Sequence, residues 1–176
     1  KTAYEIRPRD WSSDVCSSDL IGEHLSDDII SWAYDFIKDD MLYREDSFYG
    51  IVHNIHITLL SDVIESEKNI KEVLSELKPF TCTLGLIKKF TTNSKFDVLY
   101  IEVKSTNIHD INKKLASQIR NESFYKNYTP HVTICYLKKD CCENLCDNNY
   151  FMDREFCVKE LTYSTPDVKT IIRLDE

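Results

Sequence analysis

Glycine and proline are scarce in this chain, three and four residues among 176. That scarcity excludes collagen-like and Gly- or Pro-rich linker architectures. Apolar residues make up 42% of the sequence, enough for a globular core. They never gather into a run near the roughly 18 residues that a membrane-crossing helix needs. No basic, apolar and small-residue leader opens the chain either, so a cytoplasmic protein with no membrane partner is expected. An excess of positive charge is also missing. The formal net charge is -8, whereas a protein that grips long DNA or RNA neutralises many phosphates with Lys and Arg. No long nucleic acid is therefore expected as a partner. A small anionic ligand needs only a local cation pocket, for which Lys88-Lys89 and Lys138-Lys139 are candidates.

Cysteine is present but in odd number, seven, which fits a reducing compartment better than a disulfide framework. Cys141, Cys142, Cys146 and Cys157 lack a usual zinc-ligand spacing. No metal and no cofactor is expected.

The length suits one domain with a single substantial core. The stretch from Trp11 to Leu20 carries a Ser-Ser-Asp repeat, has no amphipathic period and resembles translated sequencing-adapter text. Residues 1–20 are therefore expected to be a non-native or disordered leader. From Ser26, a candidate cap, Ile29, Ile30, Ala33, Phe36 and Ile37 recur at helical spacing. Residues 50–60 read as a strand, 66–77 as a helix stopped by Pro79, and 80–90 with 95–104 as a hairpin. The order then recurs: a helix over 107–120, a strand over 130–137, a cysteine-rich stretch over 140–149 with room for a short helix, and a hairpin of 154–163 with 167–174 around Thr165-Pro166. This points to a duplicated α+β fold, two antiparallel sheets flanking a central cleft with helices outside. Its two pseudo-symmetric lobes would be about 21–104 and 105–176.

The two halves share a signature. His56-Ile57-Thr58-Leu59 and His131-Val132-Thr133-Ile134 are both His-apolar-Thr-apolar and lie 75 residues apart. Given five histidines in the chain, two such tetrads arise by chance with odds of roughly one or two in a thousand. A lone His on a half-buried strand is more often a hydrogen-bonded structural residue than a catalyst; the pair reverses that balance. Alternation along a strand puts His and Thr of each motif on one face and the apolar residues in the core. A shared cleft would then hold two imidazoles that titrate near neutrality and two hydroxyl donors. That set suits phosphoryl chemistry: one His takes a proton from the attacking oxygen, the other protonates the leaving oxygen, and the threonines hold the non-bridging oxygens. His53 is expected on the face opposite His56, and His24 and His109 on the surface.

Paired motifs of this kind in a duplicated domain resemble the 2H phosphoesterase superfamily over roughly residues 26–174. The resemblance implies metal-independent chemistry, with His56 and His131 as the acid–base pair and Thr58 and Thr133 as phosphate ligands. The segment Tyr128 to Lys139, with its Pro-His-Val-Thr-Ile core followed by Tyr-Leu and lysines, is similar to the phage enzymes that destroy the cyclic oligonucleotide signal of bacterial CBASS defence. Arg44-Glu45-Asp46 is similar too, while the first motif differs from that branch at Ile55 and at Leu60-Ser61. The branch resemblance implies a cyclic di- or trinucleotide with 3′-5′ linkages as substrate, met in the host cytoplasm. Tyr136, Tyr163 and Tyr49 are candidate base-stacking surfaces, Glu160 a candidate base-edge acceptor and Lys138 a candidate phosphate contact, with core packing the plainer role for each tyrosine. Two alternatives stay open: an RNA-end 2′,3′-cyclic phosphodiesterase or ligase, and a non-catalytic nucleotide-binding sponge on the same fold.

Overall fold

A computed structural model describes residues 14–17, 22–122, 127–165, 167 and 169–174. The described residues form eight strands and three α-helices in the order β1 (Asp14–Ser17), α1 (Glu23–Phe36), β2 (Ile57–Leu60), α2 (Glu67–Ser75), β3 (Phe80–Phe90), β4 (Phe96–Lys104), α3 (Ile108–Gln118), β5 (His131–Lys138), β6 (Glu155–Val158), β7 (Glu160–Ser164) and β8 (Lys169–Arg173). This is the α+β class that the periodicities predict.

The strands run β6-β3-β4-β5-β2-β1-β7-β8, every neighbouring pair antiparallel. Two four-stranded halves meet where β5 touches β2, and one registered pair, Ile57 with Val132, joins them. Beyond that pair the edge of β5 passes to the chain before β2: Val52 N–H donates to the Ile134 carbonyl at 2.8 Å and Tyr43 N–H to that of Tyr136 at 3.0 Å. Each half of the sheet draws on both parts of the chain, since the 80–104 hairpin lies beside β5 and β2 lies with β7 and β8. The sheet therefore does not divide at residue 104, where the expected lobes would separate.

Three further expectations are corrected. Residues 14–17, expected outside the fold, form β1 between β2 and β7 with Val15 fully buried; without them those two strands would present open edges to one another. The rest of the expected leader, 1–13 and 18–20, lies outside the described residues. The first motif strand is shorter than 50–60, because residues 50–56 follow β5 as a loop with an isolated bridge at Ile51. The expected 154–163 strand splits, its first part (β6) pairing with β3 and its second (β7) with β8; Pro166 is outside the described residues.

The helices follow their apolar stripes. In α1, Ile29 and Ala33 of the expected stripe are buried together with Trp32, whereas Phe36 is exposed, and the helix begins before the expected cap, at Gly22 rather than Ser26. Ser66 caps α2 by accepting from Asn69 N–H at 3.4 Å, and Ile70 and Leu74 face inward. In α3 the inward residues are Ile108, Ile111 and Leu115. They join Ile57, Val132 and Ile134 in one core. α1 packs on β5, α3 on β2, and α2 on β7 and β8. The opposite face of β2 and β5 is left to the motif side chains.

Candidate active site

With Ile57 and Val132 paired and buried, alternation turns His56, Thr58, His131 and Thr133 to the other face. The antiparallel register sets His56 across from Thr133 and Thr58 across from His131. Residues so opposed have Cβ atoms about 4.5–5.5 Å apart, so the two motifs face one another across the centre of the sheet.

Each motif is followed by the same irregularity. The register of β1 on β2 steps from Thr58 to Leu60, leaving Leu59 unmatched, and that of β4 on β5 steps from Thr133 to Cys135, leaving Ile134 unmatched. The spare carbonyls are satisfied from outside the ladder: Asn112 Nδ2 donates to Leu59 at 2.7 Å and Val52 N–H to Ile134 at 2.8 Å. A bulge shifts the alternation by one residue. In β5 it places Tyr136 and Lys138, opposite Val98 and Phe96, on the face of His131. Strict alternation would have placed Cys135 and Leu137 there.

The two imidazoles are held alike. His56 Nδ1 lies 2.6 Å from the Asn54 carbonyl oxygen and His131 Nδ1 lies 2.7 Å from that of Thr129. A carbonyl only accepts, so Nδ1 carries a proton in both rings, and in the neutral ring the lone pair sits on Nε2. His56 is buried. His131 is half-buried and meets Phe90 and Tyr100 edge-on at centroid distances of 5.1 and 5.5 Å, and those two rings stack at 3.9 Å. Tyr128 donates its hydroxyl to the Thr58 carbonyl at 3.0 Å, tying the approach to β5 onto β2. Burial pushes the Tyr128 phenol well up, which keeps it a donor.

The expected binding residues divide. Tyr49 and Tyr136 meet edge to face at 5.2 Å and join Tyr43 and Phe96 in an aromatic group on the motif face. Lys138 lies at the end of that group, exposed, and donates to the Asp40 carbonyl at 2.6 Å. Glu160 is on the motif face of the other half, two residues from Thr162, whose ladder row runs through Cys16 to Thr58; it pairs with Arg173 at 3.0 Å. Tyr163 does not reach the cleft. It alternates with Thr162, is 7% exposed and belongs to the core beneath the sheet.

The lysine pairs also separate. Lys89, 3% exposed, lies 3.1 Å from the fully buried Asp97 and also pairs with Glu143, while Lys139 reaches Asp97 at 2.8 Å. Both are structural rather than part of a ligand pocket. Burial alone would raise the Asp97 carboxyl, but hydrogen bonds from Lys139 and Lys89 outweigh it and hold the group below the usual carboxylate range. Lys88 turns to the motif face. Arg44 pairs with Asp39 at 2.6 Å and Glu45 with Lys95 at 3.1 Å.

His53 is exposed and bonded to the Tyr34 hydroxyl at 2.9 Å, and His24 and His109 are exposed. Among the described residues no group of three His, Cys, Asp or Glu side chains is placed to hold a metal ion. Burial pushes the Cys82 thiol up to about 11 and also raises Cys135, Cys142 and Cys146. No described helix is long and apolar enough to cross a membrane. Phe90, Tyr100 and Glu102 were not foreseen, because only the long-range register brings them to the motifs.

His56, just ahead of β2, with Thr58 on β2 and His131 and Thr133 on β5 gives a matched pair of histidines and threonines on one face of the two central strands. A family model described as the 2′-5′ RNA ligase superfamily matches residues 47–163. The chain belongs to that superfamily, the 2H phosphoesterases. Its fold is similar to that of E. coli LigT complexed with 3′-AMP, at 16% identity and a TM-score of 0.62, covering 95% of this chain and 96% of that one. It is also similar to TT0787 of Thermus thermophilus, at 12% identity and 0.62, covering 93% and 95%, and to Kluyveromyces marxianus Usb1, at 10% identity and 0.58, covering 94% and 99%. E. coli LigT has also been solved with NADP+ and the Kluyveromyces protein with uridine monophosphate. No curated protein matches the sequence.

Proposed function

We propose that the protein is a metal-independent phosphodiesterase that cleaves 3′-5′ linkages of cyclic di- or trinucleotides, with His56 and His131 as acid and base and Thr58 and Thr133 as ligands of the phosphate. The observation that supports this reading is the central pairing of Ile57 with Val132, which by alternation turns both motifs to one face of the sheet. One Nε2 takes the proton of a ribose 2′-hydroxyl as its oxygen attacks the adjacent phosphorus. The other imidazolium gives its proton to the departing 5′-oxygen. The product is a 2′,3′-cyclic phosphate, which water opens with the two roles exchanged. The attacking hydroxyl is already next to the phosphorus, so alignment and proton transfer are what the protein supplies.

Three features support a small nucleotide ligand. The net charge is -8, the motif face carries the aromatic group around Tyr49 and Tyr136, and the solved structures of similar fold include complexes with 3′-AMP, NADP+ and uridine monophosphate. The similarity of residues 128–139 to phage anti-CBASS enzymes favours the cyclic substrate and a role in countering that defence.

The test is a panel of cyclic dinucleotides, cyclic trinucleotides and 2′,3′-cyclic mononucleotides, incubated in chelator with the wild type, His56→Ala and His131→Ala, and resolved by chromatography. Cleavage of a cyclic oligonucleotide is expected, unaffected by chelator and reduced about 10²–10⁴-fold in each variant. Full activity in either variant overturns the two-histidine mechanism. Turnover of 2′,3′-cyclic ends alone identifies an RNA-end enzyme, and binding without turnover identifies a sponge.

A further inference from the structure

Lys88 lies in the ladder row of the second motif. It is registered against Tyr100, and Tyr100 against Thr133, so Lys88 faces the cleft two strand spacings, about 10 Å, from Thr133. Its Nζ is 2.6 Å from Glu102 Oε1, and Glu102 is registered against His131. Gly85 makes room for this arrangement: a Cβ there would stand 3.0 Å from the Glu102 Cβ and 3.1 Å from its Oε2.

The neighbouring lysine shows what a structural cation looks like here. Lys89 is 3% exposed and locked onto Asp97, whereas the Lys88 and Glu102 side chains are 39% and 27% exposed. A solvated pair of that kind is weak and exchangeable, and a phosphate offers more acceptor oxygens and as much charge as the carboxylate it would replace.

We propose that Lys88 is a specificity residue that leaves Glu102 for a second phosphate, one ribose away from the phosphate at the histidines. The site thereby favours nucleotides carrying two phosphate groups over those carrying one. The inference rests on reading the His56–His131 cleft as a nucleotide phosphodiesterase site.

Two pairs of probes, each differing by a single phosphate, test it. Adenosine 3′,5′-bisphosphate and 3′-AMP are compared by calorimetry, and adenosine 2′,3′-cyclic phosphate with and without a 5′-phosphate by turnover. In the wild type the doubly phosphorylated member is expected to bind about tenfold more tightly, equivalent to one charge-assisted contact. Lys88→Ala and Lys88→Gln are expected to erase that advantage through KM, leaving kcat and the singly phosphorylated probe within about twofold. Lys88→Arg should restore much of it, and Glu102→Gln should widen it by removing the competing carboxylate. An advantage that survives in Lys88→Ala, or equal weakening of both members, overturns the assignment, as does a wild type that binds both alike. A wild type that discriminates in calorimetry but turns over no phosphodiester overturns the catalytic reading and leaves Lys88 as proposed.

Discussion

His56 and His131 are fixed by the same contact, Nδ1 against the carbonyl oxygen two residues earlier, at 2.6 Å in one case and 2.7 Å in the other. The acceptors are backbone atoms, of Asn54 and Thr129. Orientation of each ring is therefore built into the turn that leads to its motif. In both cases Nδ1–H is spent on the carbonyl, so Nε2 is the nitrogen that the proposed mechanism uses for proton exchange.

The threonines follow from this symmetry. Each stands opposite the other motif's histidine, so Thr58→Val and Thr133→Val should each remove one hydrogen bond to the phosphate while keeping the strand's shape. A loss of about 10- to 100-fold in kcat/KM is expected for each, with Thr→Ser retaining most of the activity. Steady-state kinetics on the best substrate of the panel checks this, and unchanged activity in either valine variant would remove that threonine from the site.

Asp97 gives a stability prediction with a pH signature. Its carboxylate is fully buried between Lys89 and Lys139 and accepts Asp140 N–H at 3.0 Å. Removing it takes the buried countercharge from both lysines and leaves Lys89 only the exposed Glu143 carboxylate, so Asp97→Asn is expected to cost about 3 kcal/mol at neutral pH. In the wild type the carboxyl titrates lower when folded than when unfolded. The stabilisation is thus complete above the unfolded pKa of about 3.9 and is lost as pH falls through the folded value. Urea melts from pH 7 downward should show the wild-type curve falling toward that of the variant in acid; a constant gap between the two would contradict the account.

Tyr163 separates packing from recognition. The chain pattern admits it as a stacking surface, but its 7% exposure beneath the sheet makes it a core residue. Tyr163→Phe should leave KM unchanged, and Tyr163→Ala should cost about 3–5 kcal/mol of stability, as for other large aromatic truncations. A raised KM in a fully stable Tyr163→Phe protein would return the residue to the ligand site.

What the sequence made legible was local. The two tetrads, the apolar stripes of α1, α2 and α3, and the 80–104 hairpin all follow from spacing within a dozen residues. The strand exchange between halves was not legible, because the pairing of β4 with β5 is set by long-range register. The bulges at Leu59 and Ile134 were hidden for a related reason: a run of adjacent apolar residues reads the same whether alternation is kept or shifted by one. That shift brought Tyr136 to the motif face. Tyr163, on a strand with no bulge of its own, went to the core. Lys88 and Lys89 looked equivalent as a dipeptide, and alternation gave one to the cleft and the other to Asp97.

Gly85 is where packing and chemistry meet most closely. An alanine Cβ would sit 3.0 Å from the Glu102 Cβ, 3.1 Å from Oε2 and 3.2 Å from the Lys104 Cε. The lysine end can swing aside, but the Glu102 Cβ is anchored to a central strand. Gly85→Ala should therefore push the carboxylate off Lys88 at a cost of about 1–3 kcal/mol in stability, the usual range for overpacking. Displacing the carboxylate also frees Lys88 from its competitor, as Glu102→Gln does by neutralising it. The expected outcome is a thermal midpoint lowered by a few degrees, together with a widened preference for doubly phosphorylated nucleotides. Glu102→Ala in the same background should recover part of the midpoint by removing the clash with Oε2, while the preference stays wide because the lysine is alone. A Gly85→Ala protein as stable as the wild type and no more selective would show that this approach of β3 to β4 is looser than the 3.0 Å contact requires.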